Sequence, residues 1–317
     1  MTDIATGSST ALRPQTREIS AYLLMAGIWG SSFFFTTLAL RSFAPLTIVV
    51  LRMSIASVIL GIAAAIMRPR LPATRAEWLH LAWLGCFNIT LPNAIVTTAQ
   101  LHVASSTSTV LGSTTPLFVF LFAVLGRDER FDARRLIGIL LCLSGVSVMA
   151  LHGRGMGADN WFWPLMMIAA CIIYAVGNIY TRRFLRTTPA MTTAWLQITF
   201  GALWSIPAVL LLDGWRIGEV TPVALISVIE LGVLASAVCY LLFFWFIRAW
   251  GSTATSFNTY LQPVAGLLLG ILVLQEQASP GTGAGMILVL AGIACFAWES
   301  ARRLRDRGPQ PDLPPPQ

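Results

Sequence analysis

Gly30, Gly85, Ser105, Pro116, Glu129, Gly138 and Gly145 each recur 147 positions later, as Gly177, Gly232, Ser252, Pro263, Glu276, Gly285 and Gly292. A period of that length divides the 317 residues into two copies of one unit, and a repeat governs how every single element is read. Each copy contains five apolar stretches close to the length of about 20 residues that crosses a bilayer. They lie at 19–40, 44–67, 78–99, 105–125 and 136–151, then at 161–180, 190–212, 223–247, 252–274 and 282–298. Five is odd, so the second copy enters the membrane from the side opposite to the first. Inverted repeats of this kind build secondary transporters, with the substrate held near the midplane between the halves. The sequence therefore predicts an all-α membrane protein of ten transmembrane helices in two inverted five-helix repeats.

Composition agrees with that expectation. With 56% hydrophobic and 11% charged residues, the chain cannot make the surface of an ordinary soluble domain. The first stretch is too long for a signal-peptide core and is expected to stay as a helix. A net charge of +7 raises the question of nucleic acid, but the placement of the charge answers it. All 21 basic residues are arginine, and 17 of them fall in segments on one side of the predicted topology. Only Arg41, Arg154 and Arg216 fall on the other, and Arg52 lies within a helix. The positive-inside rule then puts both termini in the cytoplasm and the chain in the cell inner membrane, with no role for nucleic acid.

The organisation follows from the stretches. Residues 1–18 read as a cytoplasmic tail, 19–151 as the first unit, 152–160 as an external linker, 161–298 as the second unit, and 299–317 as a proline-rich cytoplasmic tail. The linker carries Gly153, Gly155 and Gly157, but hydrophobic helices flank it and no strand precedes it, so it is not a dinucleotide fingerprint. The five cysteines lie in apolar stretches without C-x-x-C spacing, and His80, His102 and His152 sit near helix ends without metal spacing. No cofactor or metal is expected. Gly138 and Gly145 share one helix face, as do Gly285 and Gly292, which marks close helix approach. Those two helices are expected either to pack at the ends of the bundle or to form a homodimer contact. Asp132 and Ser279 stand where an N-cap is wanted, and Glu129 and Glu276 favour the positive ends of the helices that follow.

Trp29-Gly30-Ser31, Pro45 followed by Arg52, and the repeated Pro…Glu…Gly…Gly endings resemble the EamA-like branch of the drug/metabolite transporter superfamily. The resemblance covers about residues 19–298. It implies ten helices in two inverted five-helix repeats around a central cavity, and commonly the export of small metabolites such as amino acids. The second copy departs from the pattern, with Val176 in the place of Trp29 and no arginine matching Arg52. The halves are therefore chemically unequal.

Several residues are candidates for that cavity. Arg52 is the one arginine well inside a helix, and an intramembrane charge faces the bundle interior or water. It is either a contact for a substrate carboxylate or a structural tie to a neighbouring helix. Glu230, with Trp83 at its equivalent place, is either an intramembrane proton carrier or a solvated residue near a helix end. Asn93 and Gln262 belong to a polar cluster in the third, fourth, eighth and ninth stretches, where buried amides need a cavity or another helix. Pro92, Pro116 and Pro263 interrupt those stretches and free carbonyls. Trp29, Tyr174 and Tyr260 supply aromatic wall, and Asn178 stands one turn beyond Tyr174.

Amides, hydroxyls and aromatics with a single arginine suit a small neutral or zwitterionic solute, with amino acids first. Phosphorylated solutes would want several cations. No Walker A motif is present, so transport is expected to be gradient-driven or facilitative, by alternating access. The rival readings are an importer or facilitator of another amphipathic metabolite, a sensor or scaffold with this fold and no flux, and an intramembrane enzyme. The last would need paired acids, a Ser-His set or H-E-x-x-H at membrane depth, none of which the sequence contains.

Overall fold

In hydrocarbon a backbone has only itself to bond, and apolar sequence resolves into helix. The structure, a computed structural model, describes residues 16–126, 133–152, 161–213, 215, 217–243, 245–246, 258–275 and 280–306. The helices are α1 (Thr16–Ala39), α2 (Pro45–Met67), α3 (Arg75–Ala99), α4 (Ser105–Gly112), α5 (Thr115–Leu125), α6 (Ala133–His152), α7 (Phe162–Phe184), α8 (Ala190–Leu212), α9 (Pro222–Phe243), α10 (Asn258–Leu272) and α11 (Pro280–Asp306). Six of them (α1, α2, α3, α7, α8 and α9) contain stretches long and apolar enough to cross a membrane on their own. The sole strand pairing among the described residues is a bridge between Phe43 and Ile217.

Local chemistry sets the boundaries. Thr74 and Thr221, again 147 apart, open α3 and α9 as N-caps, accepting from the amides of Glu77 and Ala224 at 3.2 Å. Glu77 reaches back to accept from the Ala73 amide, one residue before the cap, at 2.7 Å. The predicted stretch 105–125 is split. Pro116 has no amide to donate, so the chain turns at Ser113 and Thr114 and restarts as α5. Its counterpart Pro263 does not break α10, which runs through it. The expected caps Asp132 and Ser279, the carboxylates Glu129 and Glu276, and the 153–160 linker lie outside the described residues.

Almost all extensive packing joins one repeat to the other. α1 packs on α9 and α10, α2 on α8 and α9, α3 on α7 and α8, α4 on α7 and α10, α5 on α7, and α6 on α11. The apolar clusters obey the same rule. Leu81 and Leu84 meet Leu185 and Leu196, while their equivalents Val228 and Leu231 meet Ala39, Phe43 and Ile48. Loop ties are likewise crossed: the Gly218 amide donates to the Ser42 carbonyl at 2.7 Å, and Thr192 Oγ1 to the Arg70 carbonyl at 2.8 Å. Outside, the helices present apolar side chains such as Ile62, Ile66 and Leu211, a surface suited to lipid.

The α6–α11 contact is built from the repeated glycines. A Cβ on Gly145 would stand 2.6 Å from the Gly285 carbonyl oxygen, and one on Gly292 would stand 2.6 Å from that of Gly138. Cys142 adds a thiol bond to the carbonyl of its own repeat equivalent, Val289, at 3.3 Å. The glycine faces are thus used within one chain, on each other. Replacing Gly145 or Gly292 by alanine should cost about 1–3 kcal/mol, as overpacking does. Gly283→Ala, with nothing within 4 Å, should be neutral. Thermal unfolding of the three variants in detergent checks this: the first two should melt several degrees lower, the third with wild type.

Candidate functional site

Two irregular turns position the polar groups between the repeats. α3 widens into a π turn at Gly85–Thr90, and α9 does so at Val233–Val238, one residue off the repeat equivalence. A π turn inserts one residue into the helix and re-aims side chains and carbonyls, often where function lies. In α3 the cause is local, because Pro92 cannot donate to the Asn88 carbonyl. No proline follows in α9. What the two turns share is the repeated glycine where they begin, Gly85 as the first residue of one and Gly232 just before the other, each at a close approach. A Cβ on Gly85 would meet Gly201 N of α8 at 2.9 Å, and one on Gly232 would meet Ile55 Cβ of α2 at 2.7 Å.

Each π turn grips the second helix of the opposite repeat. In α3, Asn88 Nδ2 donates to Gln197 Oε1 of α8 at 3.1 Å, and Thr90 Oγ1 donates to the Gly201 carbonyl at 2.8 Å. In α9 the grip is charged: Arg52 Nε of α2 donates to Ser236 Oγ at 2.8 Å. The Ala235 carbonyl beside it accepts from Trp29 Nε1 at 2.8 Å.

Arg52 is the centre of a cluster drawn from both repeats. Its charge reaches Glu230, Tyr174 and Tyr240. Ser236 takes only Nε, and the two terminal guanidinium nitrogens make no hydrogen bond to described residues. Glu230 is 9% exposed, so it is not the solvated end residue that was one of its two expected roles. Its Oε2 is buried without a hydrogen-bond partner. No ion pair of 4 Å or less joins it to Arg52. Trp29 closes one side, edge-to-face with Tyr240 at a centroid distance of 6.1 Å and tilted against Phe243 at 5.6 Å. Its indole donor is spent on α9, which leaves the ring alone for contact.

Among the described residues, no hydrogen bond joins Asn93, Asn178 or Gln262 to Arg52 or Glu230. Asn93 Nδ2 donates to its own helix, at the Ile89 carbonyl, at 2.7 Å. Asn178 is exposed, and Gln262 is half-buried on α10 with its backbone pressed against Gly30. Tyr260 lies on α10, but its side chain is outside the described residues. Two participants, Ser236 and Gln197, were not anticipated, whereas Asn88 belongs to the polar cluster of the third stretch. Ser236 looks like one more small apolar-helix residue, Gln197 is the lone amide of α8, and Asn88 gains its partner only through the π turn.

A second set of contacts closes one end of the interface. Gln100 Nε2 donates to the Phe33 carbonyl at 2.8 Å and to Thr37 Oγ1 at 3.3 Å, tying the α3–α4 turn to α1. A Cβ on Gly112 would stand 2.7 Å from Phe33 Cζ, and Gly266 of α10 abuts Thr109. α4 therefore touches α1 and α10, whereas α5, its continuation, packs chiefly on α7. Among the described residues no comparable contact joins α5 to α1 or α10.

Comparison with known proteins fits this architecture. The family description "EamA-like transporter family" matches residues 16–151 and again 161–298. A probable terminal-alkyne amino-acid exporter of Streptantibioticus cattleyicolor is 23% identical over 292 residues, covering 92% of this chain and 97% of its own. An S-adenosylmethionine/S-adenosylhomocysteine transporter of Chlamydia trachomatis serovar L2 is 25% identical over 269 residues, 81% of this chain and 82% of its own. A crystal structure at 20% identity superposes with a TM-score of 0.61 over 92% of this chain and 99% of that one, which shows a shared fold.

Proposed function

The chain belongs to the EamA-like transporter family and is a multi-pass membrane transporter, and from that premise we propose that it exports small zwitterionic or neutral metabolites, amino acids first, by alternating access. The observation that carries the reading is Arg52, a cation tied across the repeats to Ser236 whose terminal nitrogens make no hydrogen bond to described residues, with Tyr174 and Tyr240 within reach of its charge and Trp29 against Tyr240. That set suits one carboxylate and an apolar or aromatic side chain. The names of two relatives point the same way, since a terminal-alkyne amino acid and S-adenosylmethionine both carry an α-amino and an α-carboxyl group. Glu230 is the proton carrier in this reading, and Asn93, Asn178, Tyr260 and Gln262 belong to the walls of the path rather than to its charged centre. Uptake of radiolabelled amino acids into proteoliposomes, with and without a pH gradient, tests it. At least one amino acid should be carried, and Arg52→Gln should raise its KM about ten- to hundredfold, the worth of a charged hydrogen bond. Absence of flux for the whole panel would leave a sensor or scaffold.

In this reading the two units, 19–151 and 161–298, each cross the inner membrane five times with opposite sense, and both termini are cytoplasmic. The arginine imbalance supports that orientation. A cysteine replacing Gly155 should react with an impermeant thiol reagent on intact cells, and one replacing Thr188 should not. Reversed labelling would overturn the orientation.

The packing supports a particular division of moving parts. α1, α9 and α10 form one group and α3, α4, α5 and α7 the other, each drawn from both repeats, with α2–α8 and α6–α11 along the seam. With the α3–α4 turn outside, the contacts of Gln100, Thr109 and Gly112 are those of a closed outer mouth in this reading. Cysteines at Thr37 and Gln100 joined by a short bifunctional reagent should hold that state and stop turnover, with recovery when a cleavable linker is cut. Undiminished flux across the linked pair would exclude this gate.

A further inference from the structure

Glu230 and Arg52 pose a problem that a transported solute can solve. Glu230 is 9% exposed with Oε2 unpartnered, Arg52 keeps two unspent nitrogens, and the bond to Ser236 anchors the guanidinium without pairing the two charges. A buried carboxylate without a partner is costly, and so is a cation. The elements packed against α9 are α1 and α2. From α2 the charged group facing Glu230 is Arg52, and on α9 itself the titratable neighbour is Cys239. The ionisable residues of α1, which are Arg17, Glu18 and Tyr22, stand at its start, where Tyr22 packs on Phe246 at the far end of the α9 segment. No other cation is therefore available to Glu230 from these elements. A neutral solute would leave both charges unmet. An anion would meet only Arg52 and an amine only Glu230.

Resting on the export reading above, we propose that Glu230 is itself a substrate contact: its carboxylate holds the ammonium group of an α-amino acid whose carboxylate lies on Arg52, and a proton takes the same place when the solute leaves. Proton and ammonium group compete for one carboxylate, so the two are exchanged. On release to the outside, the N–H···O contact opens and one proton from the external water adds to the Glu230 carboxylate. On the inside that O–H bond gives its proton to water and the next ammonium group binds. Arg52 keeps its charge throughout. One zwitterion leaves per proton that enters, and one positive charge moves inward per cycle.

The test uses the purified full chain in nanodiscs, in weakly buffered solution with a pH-indicating dye. The ligands are the amino acids carried in the uptake panel, their 2-oxo acids and their decarboxylated amines. Binding of a carried amino acid at acid pH should release close to one proton per protein, and its affinity should fall about tenfold per pH unit toward acid. The 2-oxo acid and the amine should each bind about ten- to hundredfold more weakly, since each lacks one charged partner. In Glu230→Gln both the proton release and the pH dependence should vanish. These wild-type measurements decide the matter even where the variant folds poorly. A carried amino acid that binds without proton release, with pH-independent affinity, overturns the proposal and leaves the export reading intact. A panel in which no amino acid binds or moves overturns both.

Discussion

Two apolar helices gain nothing from leaving hydrocarbon for each other, so a protein of this kind is held together by close backbone approach and by buried polar contacts. Here both are spent almost wholly between the repeats. Gly145 lies against Gly285 and Gly292 against Gly138, Gly30 against Gln262, Gly85 against Gly201, and Gly232 against Ile55. The clusters around Leu81, Phe118, Met53 and Val228 each draw side chains from both copies. Among the described residues neither copy has a core of its own. The duplication visible in the sequence is one of surfaces that need each other.

This explains what was legible in the sequence and what was not. A glycine that must sit against another backbone is kept in both copies, so the repeat and the packing role of Gly138, Gly145, Gly285 and Gly292 could be read directly. Their partner could not, because a glycine marks a close approach without naming what approaches. Pro116 announced a break that α4 and α5 show, whereas Pro263 announced one that α10 does not. The π turns were hidden for a different reason. One follows from Pro92, but the other has no proline, and no local pattern distinguishes it from ordinary helix. Arg52 and Glu230 were each visible as intramembrane charges, yet their nearness was not, since repeat alignment pairs them with Thr199 and Trp83. The tie to Ser236 spans 184 residues and depends on the π turn to aim it. Asn93 read as an amide in want of a cavity or another helix and Trp29 as aromatic wall, and the structure spends the donors of both on backbone carbonyls.

The same grip is made twice with different chemistry. On one side an amide pair, Asn88 and Gln197, binds α3 to α8, and on the other an arginine and a serine bind α9 to α2. An amide pair is neutral at any pH and offers a solute nothing that water does not. Charge on one side of a pseudo-twofold axis gives the interface a direction, and a solute bound there has a single preferred orientation. A symmetric site would present the same face to both halves and hold a small polar molecule in two ways.

Crossed packing also has a bearing on biosynthesis. The main partners of α1 through α6 lie in the second half of the chain, so at the moment the first half has been inserted it has little to fold against. Of the described pairs, α6 with α11 is the last that can form, because α11 lies furthest along the chain. Until then the Gly138 and Gly145 face of α6 meets lipid or the insertion machinery, bare of the backbone it is shaped for. A nascent chain arrested before α11 would present that notch as a mark of incompleteness, open to any quality-control protease that reads exposed small-residue grooves, and the arrival of α11 would erase it.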